Sequence, residues 1–224
     1  PHTKDKWARQ TIELEAWQLF CFTTAFGWVQ KSDGMRRFRE IYWCMPRKQG
    51  KSLVAAGIGV YMLGLDGEQG AEVYCGATTE RQANEVFKPA KRMVQLTEAL
   101  RDDIGIYPYA SALTIDSDGS TFQRIVGTPG DGQSPSCAII DEYHEHQTTE
   151  QYDTMQSGMM SRSQPLLLVI TTAGASHGGP CYLHEMDCKK VLDGVKQNDR
   201  LFAIIYHADD TDEWTSKEAL ERNI

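Results

Sequence analysis

Residues 38–52 read FREIYWCMPRKQGKS, and the fold follows from how that stretch divides. Residues 38–45 are rich in aromatic and β-branched side chains and predict a strand. Residues 46–50 break the pattern with a proline, two basic side chains, a glutamine and a glycine. Residues 52–65 (SLVAAGIGVYMLGL) are apolar and predict a buried helix. A strand, a glycine-bearing turn and a helix opening on Gly50-Lys51-Ser52 is the context in which a loop wraps phosphates. Gly50 lets the backbone approach closely, while exposed N–H groups and the helix N-terminus supply positive potential. Lys51 is then expected to reach the β- and γ-phosphates of ATP, and the Ser52 hydroxyl to ligate Mg²⁺. Met45 stands where the consensus loop G-x-x-x-x-G-K-S/T begins with glycine. Taken alone, the motif favours phosphate binding, with a solvated basic turn as the lesser reading.

A second motif gives it company. Residues 137–142 read CAIIDE, an apolar strand ending in two carboxylates. A strand tip of this kind is expected to project Asp141 and Glu142 over the phosphate loop of a neighbouring strand. Asp141 is suited to hold Mg²⁺, and Glu142 to polarise the attacking water. A lone Asp-Glu pair is more simply a capped turn; order, spacing and context together favour catalysis.

Outward from these motifs, helix and strand patterns alternate. Residues 14–26 predict a helix, residues 71–77 a strand, and residues 79–96 a helix with Thr79 as its N-cap, three residues before Gln82. Residues 121–126, 137–140 and 201–206 predict strands, and residues 181–195 a helix. The run PLLLVIT at 165–171 is continuously apolar, as in a parallel strand buried on both faces. The fold class expected is α/β: a mostly parallel central sheet flanked by helices, a P-loop NTPase of the RecA/ASCE-like kind. One ATPase domain is expected over residues 1–206. The acidic, polar stretch beyond it, 207–224, reads as the start of a linker.

Bulk properties bound the rest. At 224 residues, 41% hydrophobic and 24% charged, the composition is that of a globular domain. No stretch approaches the ~20 apolar residues of a membrane span. The net charge of −8 argues against a dedicated nucleic-acid coat, though not against local DNA contacts. Six cysteines without CxxC spacing read as free thiols in a reducing, cytoplasmic setting. A start without methionine or a signal pattern suggests a piece of a longer protein.

Lesser features carry two readings each. Thr171, Thr172 and Ala173 end the 165–171 strand, and either threonine could sense the γ-phosphate or simply cap a turn. Gln18 on the first helix is either an adenine contact or an ordinary surface glutamine. His177, Cys181, His184 and Cys188 have residue types that suit zinc but lack paired-knuckle spacing, so chance placement is preferred. His144 and His146 read as a solvated loop.

Together, Leu14-Glu15-Ala16-Trp17-Gln18, Arg47-Lys48-Gln49-Gly50-Lys51-Ser52, Ala77-Thr78 with Gln82-Ala83, Ile139-Ile140-Asp141-Glu142-Tyr143-His144 and the 165–174 stretch resemble the large terminase subunit of tailed bacteriophages. Such terminases typically lack the first glycine of the loop, which accounts for Met45. The resemblance implies ATP hydrolysis with Mg²⁺ that drives double-stranded DNA into a procapsid. It implies an adenine contact from Gln18, nucleotide sensing by Arg47, and a coupling motif at Thr171, Thr172 and Ala173. It implies partners as well: the portal of the procapsid, a small terminase subunit, and a homo-oligomeric ring in the cytoplasm of a bacterial host. The family's nuclease domain is not expected in this chain. Some terminases insert an arginine into the neighbouring subunit's site from the stretch before the second motif. Residues 131–135 have none, leaving Arg124 and Arg162 as candidates. The competing readings are a superfamily-2-like helicase lobe and a nucleotide-binding regulator without turnover.

Overall fold

Parallel strands buried on both faces need helices on both sides, and this chain supplies them. The computed structural model describes residues 10–127, 130, 132–174, 176–206 and 216–217. The expected linker, 207–224, therefore lies almost wholly outside the described residues.

Chain order is α1 (Ala16–Gly27), β1 (Glu40–Cys44), α2 (Lys51–Gly64), β2 (Glu72–Ala77), α3 (Glu80–Leu96), α4 (Glu98–Asp102), β3 (Ile106–Pro108), β4 (Ala112–Ile115), β5 (Ser120–Val126), β6 (Cys137–Asp141), α5 (Glu150–Gly158), β7 (Leu166–Thr171), α6 (Pro180–Leu192) and β8 (Leu201–Ile205). Every strand and helix expected from sequence is present within a few residues of its expected bounds. The structure adds α4, α5 and the β3–β4 hairpin, whose short segments carry too little periodicity to announce themselves.

The strands form one sheet in the order β3-β4-β5-β2-β6-β7-β1-β8. From β5 to β8 all pairings are parallel; only β3–β4 and β4–β5 are antiparallel. One expectation is corrected here. β6 is not the neighbour of β1, because β7 lies between them, Cys44 in register with Thr171 and Asp141 with Ile170. Because these strands run parallel, they all end on one edge, so the tips of β1, β7 and β6 stand in a row.

Alternation along each strand sorts residues between two cores. Ile41, Trp43, Val73, Cys75 and Ile139 pack with residues of α1, α2 and α3. Tyr42, Cys44, Tyr74, Ala138 and Ile140 face the side of α5 and α6. Helix α2 comes so close to the sheet that a Cβ on Gly59 would lie 2.6 Å from the Phe122 ring. All six cysteines are buried and unpaired. No described helix is long and apolar enough to cross a membrane.

Candidate functional site

The site forms where β1 ends. Gly50 sits at the N-cap of α2 with φ +75°, a left-handed conformation that glycine adopts without a steric penalty. Lys48 also has positive φ, +68°, so the turn carries backbone strain of about 1 kcal/mol or more. Met45 is 2% exposed and packs into the core on the α2 side, while its N–H donates to the Thr171 carbonyl. An apolar anchor thus stands in place of the consensus glycine and ties the loop to β7.

Lys51 is buried, and its ammonium lies inside the turn, donating to the carbonyls of Met45 (3.1 Å) and Pro46 (3.0 Å). An ammonium has three donors, so one remains for a ligand. Burial lowers its pKa, opposed by the nearby charges of Glu142 and Asp141.

Residue parity places the carboxylates. Ile139 faces α2, so Asp141 does too, and its Oδ2 accepts from the Ser52 hydroxyl at 3.3 Å. Its Oδ1 accepts from the Glu142 N–H at 2.8 Å. Asp141 is only 1% exposed, and desolvation, reinforced by the Glu142 charge, pushes its pKa up to about 7. Such a carboxylate gains from a cation beside it. The two hard oxygen donors, 3.3 Å apart, are of the kind magnesium takes, so the residues fit that ion. Glu142 leaves the strand in a left-handed conformation (φ +49°, ψ +51°). The following 3-10 turn, Tyr143–Glu145, then folds back.

These groups line a cleft of about 370 Å³. Arg47 and Ser52 come from the loop side, and Asp141, Glu142, His144 and Glu145 from the tip of β6 and the turn after it. Arg81, Gln82 and Glu85 come from the start of α3, which Thr79 caps by accepting from the Gln82 N–H at 3.3 Å. Arg81 was missed in the sequence; its signal was its position just inside a capped helix that follows a strand.

Other candidates land elsewhere. Gln18 is buried at 8% exposure; its carbonyl accepts from the Glu15 N–H, closing a capping box. Its amide nitrogen lies against the phosphate loop, 3.8 Å from where a Gly50 Cβ would be, so it is no ordinary surface glutamine. Lys48 is exposed and Gln49 half-buried.

Thr171 and Thr172 are not among the residues that line the cleft. Both are buried, and their hydroxyls contact His144 instead, because parity turns Thr171 toward α6. Ala173 lines a separate cavity on the α6 side.

The two arginine-finger candidates lie outside this chain's own cleft, each held by neighbours within the fold. Arg162 is held by Glu68 (3.1 Å), Glu72 (3.4 Å) and the carbonyls of Gly70 and Ser134. Glu72 opens β2, so this cluster lies at the opposite edge of the sheet from the cleft. Arg124 donates to Asn84 at 2.7 Å and lies over the Phe87 ring, 5.0 Å from its centre, outside the cleft lining.

The histidine–cysteine set disperses. Cys181 contacts Tyr42 and Thr171, His184 pairs with Glu40, and His177 lies against Tyr182. Among the described residues no group of three or more His, Cys, Asp or Glu is placed to hold a metal. Nor do His144 and His146 form a solvated loop. His146 is 7% exposed, and the His144 side chain 11%, because the turn after β6 folds onto β7. Burial lowers the His146 pKa.

Comparison with known proteins matches this arrangement. The chain is 50% identical over 93 residues to Protein YmfN of Escherichia coli K12, covering 42% of this chain and 20% of that protein. It is 29% identical over 135 residues to the large terminase subunit of Enterobacteria phage HK97, covering 58% of this chain and 27% of that one. The crystal structure of the HK97 large terminase superposes with a TM-score of 0.75 at 22% identity, over 93% of this chain and 42% of that chain. The large terminase of a thermophilic bacteriophage, solved in complex with ATP-gamma-S, superposes with a TM-score of 0.54 at 18% identity, over 83% of this chain and 43% of that chain. The chain thus spans less than half the length of these relatives. The family model for the ATPase domain of the terminase large subunit matches residues 16–190, from the first helix through the phosphate loop and the Asp141–Glu142 tip to α6, and the chain belongs to that family.

Proposed function

We propose that this chain binds Mg²⁺-ATP in the cleft at the end of β1 and hydrolyses it as the motor of a DNA-packaging terminase. The observation that carries this reading is the hydrogen bond from the half-buried Ser52 to the buried Asp141, with the Glu142 carboxylate and Lys51 ammonium beside it.

The first turn of α2 receives the phosphates, and Lys51 offers its remaining donor to the β- and γ-oxygens. Ser52 and Asp141 would hold Mg²⁺, which when bound neutralises charge on the β- and γ-phosphate oxygens. Glu142 orients a water in line with the γ-phosphorus and takes its proton as the new P–O bond forms and ADP leaves. Arg47 faces the same cleft and is suited to sense the nucleotide; Arg81 adds a second guanidinium from the opposite wall. Gln18, against the loop, is suited to the adenine end.

Family membership favours this motor over a superfamily-2-like helicase lobe, and a positioned Glu142 favours turnover over passive binding. Double-stranded DNA, a procapsid portal, a small terminase subunit and a homo-oligomeric ring are the partners proposed, in the cytoplasm of a bacterial host. The test is Glu142→Gln. Mg²⁺-ATP affinity by calorimetry should stay within about threefold of wild type, while turnover falls by roughly 10²–10⁴-fold. Wild-type turnover in that variant would refute Glu142 as the base.

A further inference from the structure

We infer that His144 is the positioning residue for Glu142, and that it joins the Glu142 carboxylate to the tip of β7. The inference rests on the reading of Glu142 as the catalytic base.

Glu142 Oε2 is buried and makes no hydrogen bond of good geometry; the His144 Nδ1 lies 3.3 Å from it. A carboxylate that must aim at a water needs its rotamer fixed by a neighbour, and the imidazole is placed to do that. The imidazole is itself firmly held. The His144 N–H donates to Thr171 Oγ1 at 3.1 Å, and the ring Nδ1 lies 3.1 Å from the same hydroxyl and 3.4 Å from that of Thr172. Its Nε2 faces Glu145 Oε1 at 3.3 Å.

The hydrogen-bond pattern suits a proton on Nδ1. The Thr171 hydroxyl has the Thr172 carbonyl 2.9 Å away as an acceptor for its one hydrogen, and with the hydrogen there it accepts from the ring. A proton on Nδ1 faces an arc of oxygens, of which the Glu142 carboxylate is the charged one and the strongest acceptor. Assigned this way, the ring is a bridge: Thr171 and Thr172 on one side, Glu142 on the other.

Packing reinforces the bridge. A Cβ on Gly174 would come within 3.0 Å of the His144 Cβ, so the chain just past β7 lies directly against this residue. His144 lines both the phosphate cleft and the cavity on the α6 side, and so forms the wall between them. The two threonines thus reach the cleft through His144. A shift at the tip of β7 changes where the base points, and a change at the base is felt at β7.

The test uses His144→Ala, His144→Asn and Thr171→Val, each alone and combined with Glu142→Gln, in single-turnover ATP hydrolysis, with thermal melts to confirm folding. Misplacing a catalytic group by about 1 Å costs up to about 10²-fold. His144→Ala should therefore slow hydrolysis by about 10–100-fold, with the ATP KM within about threefold of wild type. His144→Asn, which keeps an N–H donor near the same place, should recover part of the loss. Thr171→Val preserves volume and should lower the rate in the same direction, which keeps the inference testable if His144→Ala does not fold. In the Glu142→Gln background neither change should slow hydrolysis further, because the group they position is already gone. A His144→Ala rate equal to wild type would overturn the inference, as would an equal further loss in the Glu142→Gln background. If Glu142→Gln itself is fully active, the base has been misassigned, and that failure is separate from this one.

Discussion

Asp141→Asn should make the folded chain more stable while disabling it. Asp141 is almost fully buried, and desolvation, with the Glu142 charge beside it, raises its carboxyl from 3.8 to about 7. The sign follows from proton linkage. Between pH 4 and 7 the unfolded chain has already released this proton while the folded chain retains it. The folded state binds more protons there, and stability falls as pH rises. Below pH 4 the penalty is absent; above 7 it is fully present. A shift of about three pH units corresponds to about 4 kcal/mol. We expect roughly half of that, since buried sites respond with a higher effective dielectric than a dry interior. Asparagine keeps the acceptor for the Glu142 N–H and offers an amide to the Ser52 hydroxyl, so both hydrogen bonds can persist without the charge. The assay is urea unfolding followed by circular dichroism at pH 4, 6 and 8 in EDTA. The variant should match wild type at pH 4 and exceed it by about 2 kcal/mol at pH 8, a Tm gain of about 4–8 °C for a chain of this size. Adding Mg²⁺-ATP should stabilise wild type more than the variant. A variant less stable than wild type at pH 8 would refute the reasoning.

Two further predictions follow from the same geometry. Lys51→Ala removes the one ammonium inside the phosphate turn, and charge-assisted hydrogen bonds contribute about 1.5–3 kcal/mol each. Calorimetry should find ATP binding weakened by at least about tenfold and turnover lost; unchanged affinity would sink the phosphate-loop assignment. Arg162→Ala leaves Glu68 and Glu72 without their partner at the far edge of the sheet and should cost about 3 kcal/mol in urea unfolding. Its ATP turnover per folded molecule should equal wild type at every protein concentration; a selective loss of turnover would instead assign Arg162 as a finger.

Much of this protein was legible in its sequence because the signals are local. The turn between β1 and α2 is written in the residues that form it, a strand, a proline, a left-handed glycine and an apolar helix. Strand parity is equally local, so Asp141 and Ile139 had to share a face once β6 was recognised. What the sequence alone could not decide depends on residues far along the chain. That β7 lies between β1 and β6 is set by how crossovers return to the sheet, and no segment encodes this by itself. Arg162 has nothing in its vicinity to mark it as structural; its ion pair with Glu68 spans 94 positions. His144 reads as a polar residue in a polar stretch until β7, 27 positions later, folds its threonines against it. Backbone conformation and periodicity are decided by neighbours in sequence. The partner of a buried charge or a bridging imidazole is decided by neighbours in space, and only the tertiary structure chooses those.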